Sequence, residues 1–226
     1  MLTVGGKRVL TTPDEILDPG RAAVVVVDMQ NDFCTPGGVF AQCGCDLTAV
    51  QAVIAPIARL LQGAREAGIR IVYLMMTTMP NYESWGASYI RFNLEYLNVP
   101  PGRLYTVPET WGWRVVDGLA PRGDEIVVRK WRSSGFIGTN LDLILKSYGI
   151  ESLVICGTAT YACVDSTLRD ATHLDYYTAV PADCVAGTDA DLHDAALRIM
   201  RRRTMVLESP EILRYWAPSA GKRVDV

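Results

Sequence analysis

The chain has 226 residues with a formal net charge of -3, 21% charged and 49% hydrophobic residues. It is long enough to bury a core without covalent staples, and it lacks the basic balance of a nucleic-acid surface or a polybasic membrane anchor, so a small, neutral or modestly charged ligand fits better. Cys34, Cys43, Cys45, Cys156, Cys163 and Cys184 form no C-x-x-C pair and a chain of this size needs no disulfide framework; with no leader-like or bilayer-spanning apolar run, the expectation is a cytoplasmic protein with reduced thiols.

In chain order, residues 1–20 carry Gly5-Gly6, Pro13 and Pro19 with little periodicity and are expected to be an arm ahead of one domain over 21–226. The run Ala22 to Val27 is apolar throughout and stops at Asp28, as a central strand of a parallel sheet does. A helix over 47–66, ended by Gly68, leads to a strand over 69–74. Residues 77–107 then bring Tyr82, Trp85, Tyr89, Phe92, Tyr96 and Tyr105 among Asn, Pro and Gly. This is an aromatic insertion with few regular elements, suited to a pocket wall or lid or to a subunit surface.

A short helix is expected over 113–119, a strand over 125–130, a helix over 140–148 stopped by Gly149, and a strand over 152–156. Val164, Leu168 and Ala171 then share a helical face, followed by a strand over 178–181, a helix over 189–202 and a sixth strand over 204–207. Strands alternating with helices predict one parallel sheet covered on both faces, a three-layer α/β/α domain. Neither G-x-G-x-x-G nor a phosphate-binding G-x-x-x-x-G-K-[ST] is present. His173 and His193 fall inside helical patterns and outside any metal-ligand spacing, so no metal and no cofactor are expected.

Asp28, Lys130 and Cys163 each stand at the carboxyl end of a predicted strand, and in a parallel sheet those ends share one edge where ligands bind. Thr160 as N-cap would put Cys163 in the first helical turn, where unpaired N–H groups and the helix dipole favour a thiolate. On that stretch alone a nucleophile and a small buried apolar cysteine are equally compatible. Asp28 alone reads equally as a carboxylate capping a turn. Together, thiol, carboxylate and ammonium have the parts for acyl transfer without histidine: the carboxylate takes the thiol proton, and the ammonium holds the carboxylate and stabilises the thiolate.

Asp28 within Val-Val-Asp-Met-Gln-Asn-Asp-Phe, Lys130 followed by Ser134-Gly135-Phe136, and Gly157-Thr158-Ala159-Thr160-Tyr161-Ala162-Cys163-Val164 resemble the isochorismatase-like cysteine hydrolases, from about residue 21 to about 205. The resemblance implies a six-stranded parallel α/β fold and an Asp28-Lys130-Cys163 triad that hydrolyses C–N bonds of small amides. It also implies a cis peptide between Thr158 and Ala159, with the N–H groups of Ala159 and Cys163 aimed at the oxyanion. True isochorismatases lack the cysteine, and nicotinamidases carry metal-binding histidines early in the chain, where this sequence has none. The branch that hydrolyses ureidoacrylate, biuret and N-carbamoylsarcosine is the better match, through Trp111-Gly112-Trp113 and Lys130-Trp131-Arg132-Ser133-Ser134-Gly135-Phe136.

For substrate recognition the candidates are Gln30, Phe33, Trp85 and Tyr89, together with Arg91, Arg132, Phe136 and Tyr161. Arg91 or Arg132 would pair with a substrate carboxylate; Gln30 has a second reading, in the turn after the first strand. Family likeness further implies a small amide or ureide as the partner and a homodimer or homotetramer. A reading from another class is a non-catalytic protein with Cys163 as a redox-sensing thiol, which would want a nearby resolving cysteine.

Overall fold

The structure is a computed structural model that describes residues 2–217. β1 (Leu2–Val4) and β2 (Lys7–Val9) form an antiparallel hairpin over Gly5 and Gly6, followed by a helical turn at Pro13–Ile16. The expected arm therefore has structure of its own, and Arg8 ties the hairpin to Glu151.

β3 (Ala22–Val27), β4 (Arg70–Met76), β5 (Ile126–Lys130), β6 (Ser152–Thr158), β7 (Tyr177–Pro181) and β9 (Met205–Leu207) pair in parallel in the order β5-β4-β3-β6-β7-β9. All six coincide with the expected strands. A seventh, the two-residue β8 (Val185–Ala186), pairs with β6 through Gly157 and Thr158; two residues carry no readable period, so the sequence pattern could not show it.

Every residue of β3 is buried because helices cover both faces. Val24 and Val26 face a layer that includes Ile57, Leu60 and Leu61 of the helix Ile54–Glu66 and Ile212 of the helix Ser209–Trp216. Ala23, Val25 and Val27 face Leu141, Leu145, Leu168, Leu197 and Met200 on the other side. The period of two in a strand thus divides one apolar run between two cores.

Three expected elements differ. The helix over 47–66 breaks into Thr48–Ala52 and Ile54–Glu66, because Pro56 has no N–H to give the carbonyl four residues before it. The stretch 113–119 forms no α-helix: a turn ends at Arg114, Val115 bridges Gln30, Val116 N donates to Met29 O at 2.9 Å, and Asp117–Leu119 forms a 3-10 turn. Two adjacent β-branched residues favour that outcome. Within 77–107 the structure has a helix, Ala87–Glu95. Its signal was present: Tyr89, Phe92 and Tyr96 are spaced i, i+3, i+7, with successive ring centroids 5.8 Å apart in both pairs.

The sheet register prepares the site. Val27 pairs with Leu74 on one side and Gly157 on the other, while Met76 pairs with Lys130. Residues 28, 130 and those after 158 therefore emerge at one edge. Gly157, at φ 117, admits no side chain, since a Cβ would lie 2.1 Å from Val27 O.

Candidate active site

Asp28 follows β3 directly at φ 52, in the left-handed region that aspartate tolerates better than most residues, and is 1% exposed. Its Oδ1 accepts a hydrogen bond from Met76 N at 2.9 Å and its Oδ2 lies 2.8 Å from Lys130 Nζ. Lys130, the last residue of β5, is fully buried and also donates to Arg132 O at 3.0 Å. Cys163 lies close enough to both Asp28 and Lys130 for each to act on its charge, so the three groups form one electrostatic cluster.

The local fold around Cys163 departs from the expected cap. Residues Thr160–Val164 form a π-helical turn that begins after Ala159, and the helix Asp165–His173 continues from it. Thr160 does not cap; its Oγ1 hydrogen-bonds to His193 Nδ1 at 2.8 Å. The peptide between Thr158 and Ala159 is cis.

Burial pushes the Cys163 thiol up to about 12, with the charge of Asp28 adding to the effect and the Lys130 ammonium opposing it. Burial therefore favours the thiol form of the resting sulfur, against the helix start and the Lys130 ammonium, which favour the thiolate. Burial works against a charged Lys130, yet Asp28 and then Cys163 outweigh it and raise the ammonium above the ordinary lysine value. In the free enzyme, Cys163 alkylation by iodoacetamide is expected to be slow at neutral pH and to climb with pH up to about 12. Mass spectrometry of the Cys163 peptide reads this, and a rate already on a plateau near pH 7 would show a resting thiolate instead.

Asp28 and Cys163 open onto a cavity of about 390 Å³, with Thr158 and Ala159 beside them. Phe33, Phe40, Tyr89, Phe92, Tyr96 and Tyr105 supply its aromatic wall. Phe33, Phe40 and Tyr105 meet edge to face, with centroids 4.8 to 5.5 Å apart. Asp32 anchors this wall through Thr106 N at 2.6 Å and Val39 N at 3.2 Å. Gly112 leaves room for that carboxylate, since a Cβ there would fall 2.3 Å from it.

Of the candidate recognition residues, Phe33, Tyr89 and Tyr161 line the cavity. The others lie outside it. Gln30 Nε2 donates to Met76 O at 3.0 Å and Trp113 O at 2.8 Å, tying the first turn to neighbouring strands. Trp85 packs behind Tyr89 and Tyr105, both at 5.4 Å. Arg91 points outward, 72% exposed, and pairs with Glu95 at 2.8 Å. Arg132 Nη1 donates to Ser84 O at 3.0 Å and Trp131 O at 2.6 Å, with its guanidinium 5.1 Å from the Tyr89 ring centroid. Phe136 stacks on Tyr176 at 5.9 Å in the core of the far face.

Residues absent from those candidates also reach the cavity: Phe40, Met76, Leu97, Thr188, Asp189 and Leu192 among them. Residues 188–192 arrive there through β8, which carried no readable signal. Among the described residues, no group of three or more His, Cys, Asp or Glu is arranged to hold a metal ion, and no helix is long and apolar enough to cross a membrane.

The Isochorismatase domain family model matches residues 22–211. Ureidoacrylate amidohydrolase RutB of Rhizobium rhizogenes is 40% identical over 169 residues, covering 71% of this chain and 68% of the relative. RutB of Methylorubrum extorquens is 39% identical over 190 residues, covering 80% and 76%. Among solved structures, a cysteine hydrolase from Pseudomonas syringae superposes with a TM-score of 0.78 at 27% identity, covering 93% of this chain and 97% of that one. N-carbamoylsarcosine amidase from Thermoplasma acidophilum gives 0.65 at 29% identity, covering 84% and 96%. With the match running from β3 to the last helix of the sheet's outer layer, the chain belongs to the isochorismatase family, as a hydrolase of carbon–nitrogen bonds other than peptide bonds.

Proposed function

We propose that Cys163 is the nucleophile of a cysteine-dependent amidohydrolase that opens a small linear amide, ureide or carbamoyl compound through a thioester. The observation that carries this reading is the contact of Cys163 with a buried Asp28–Lys130 ion pair at the cavity. With burial favouring the thiol, its proton leaves as the bond to the substrate carbonyl forms, and Asp28 is in place to take it. Lys130 fixes Asp28 and compensates the negative charge that gathers there. Backbone N–H groups of Ala159 and Cys163 are the oxyanion donors in this reading, a contribution of about 3 kcal/mol each in comparable sites. Asp28 then returns the proton to the leaving nitrogen, and water opens the thioester with Asp28 again as base.

The redox-sensor alternative has less support. Its nearest sequence candidate for a resolving partner, Cys156, is fully buried within β6 with its Sγ directed at Val25 O, and a high-pKa thiol oxidises slowly. A cytoplasmic setting with reduced thiols, and assembly as a homodimer or homotetramer, belong to the same proposal.

The test is ammonia release from a panel of biuret, ureidoacrylate, N-carbamoyl amino acids, neutral ureas and simple amides, before and after iodoacetamide. At least one compound should yield ammonia, and alkylation should abolish it. Turnover that survives full alkylation of Cys163 would rule the mechanism out.

A further inference from the structure

We infer that His193 is a positioning residue for the reaction: through Thr160 it holds the turn that carries Cys163. The inference rests on the amidohydrolase reading for what the turn does, and on the contacts of residues 185–193 for how the turn is held. Thr160 stands between Ala159 and Cys163 and is fully buried, and its Oγ1 lies 2.8 Å from His193 Nδ1. Among the described residues, that is the one hydrogen bond this hydroxyl makes.

A π-helical turn such as Thr160–Val164 is rare and does not propagate, so its shape depends on what packs around it. Residues 185–193 supply that packing. Gly157 and Thr158 pair with Val185 and Ala186, and Thr158 Oγ1 donates to Ala186 O at 3.2 Å. The Tyr161 ring approaches Gly187 so closely that a Cβ there would fall 2.4 Å from it, and the Tyr161 hydroxyl is 3.2 Å from Thr188 Oγ1. These contacts grip the chain before and after Thr160, and the imidazole of His193 takes hold of Thr160 itself.

The helix Ala190–Met200 delivers that imidazole at a fixed point. Its N-cap Asp189 accepts from Leu192 N at 2.9 Å, and His193 N donates to Asp189 O at 3.0 Å, so His193 follows a fixed cap by one turn. His193 also borders a second cavity of about 360 Å³, whose lining shares Asp46 and Thr188 with the cavity at Cys163. The ring is thus half-buried, open on one side and bonded to the catalytic turn on the other. Without it, the buried Thr160 hydroxyl has no partner and must turn toward another, carrying Ala159 and Cys163 with it. A shift of about 1 Å at the reacting groups can cost about a hundredfold in rate.

The experiment measures kcat and KM with the best panel substrate for His193→Leu, His193→Asn, Thr160→Val and the double variant of His193→Leu with Thr160→Val. Leucine keeps the bulk and removes the hydrogen bond, whereas asparagine offers both a donor and an acceptor near the place of Nδ1. His193→Leu is expected to lose about tenfold or more in kcat with KM within about threefold, and His193→Asn to recover most of that loss. Thr160→Val should lose a similar amount, and the double variant no more than either single one, because all three break one contact. Iodoacetamide reads the turn without turnover: the Cys163 alkylation rate should change by about threefold or more in each single variant and no further in the double. Circular dichroism gives the folded fraction of each protein. Losses that add in the double variant, that fall on KM alone, that follow the folded fraction or that are equal in His193→Asn and His193→Leu overturn the inference, as does an unchanged alkylation rate. Cys163-dependent ammonia release stands in all of those cases. Conversely, ammonia release that persists in Cys163→Ala removes the proposed nucleophile, while a coupled change in alkylation leaves His193 as the residue that positions the turn.

Discussion

Cys163→Ala should reduce ammonia release to the uncatalysed background, a loss of at least about 10⁴-fold, the scale on which removing a nucleophile acts in other covalent hydrolases. No other group among the cavity-lining residues can replace it. Cys45 is the one other thiol there, and burial raises its pKa as well. Ser133 is in the lining, but no hydrogen bond places it on Asp28. The fold should tolerate the change, with a stability difference of about 1 kcal/mol or less, because Cys163 is partly exposed and borders a cavity. A full time course with the best panel substrate, together with intact-mass detection of the acyl adduct, gives the reading. Residual turnover within tenfold of the parent, or an adduct on another residue, would displace Cys163 from its role.

The alternation of apolar runs with helical patterns made the strands legible, most directly β3, β4 and β6, which are buried on both faces and say so in consecutive apolar residues, whereas β5 keeps Val127 and Arg129 exposed. The same runs end on charge at Asp28 and Lys130, so two parts of the site could be read from where an apolar stretch stops. Cys163 needed more, since a thiol after a strand looks like a core residue until its neighbours are known. Selectivity was the least legible. Arg91 and Arg132 were attractive by residue type, but whether an arginine faces a cavity or two backbone carbonyls is decided by contacts from distant segments. Trp85 shows the converse: its ring backs Tyr89 and Tyr105, and such second-layer packing cannot be told from cavity lining by residue type.

The second large effect is expected from Lys130→Met. With Lys130 fully buried and Asp28 1% exposed, removing the ammonium leaves a carboxylate uncompensated in the interior, which costs about 3–5 kcal/mol. Activity should fall with it, since the carboxylate would lose the ammonium that fixes it beside Cys163 and compensates its charge. Adding Asp28→Asn to Lys130→Met should restore much of the stability, because a neutral amide beside a thioether no longer strands a charge, yet restore no ammonia release. Urea unfolding at matched m-values compares the three proteins. The alkaline limb provides a second reading. The Lys130 pKa is raised in the fold, so the stability it contributes is present at neutral pH and is lost as pH rises beyond the ordinary lysine range. Cys163 acts in the same direction between 9.0 and about 12. The parent should therefore lose stability steeply at high pH, and Lys130→Met should lose less over the same interval. A double variant no more stable than Lys130→Met would mean that the single variant suffers from lost packing of the lysine stem, with the stranded charge a minor cost.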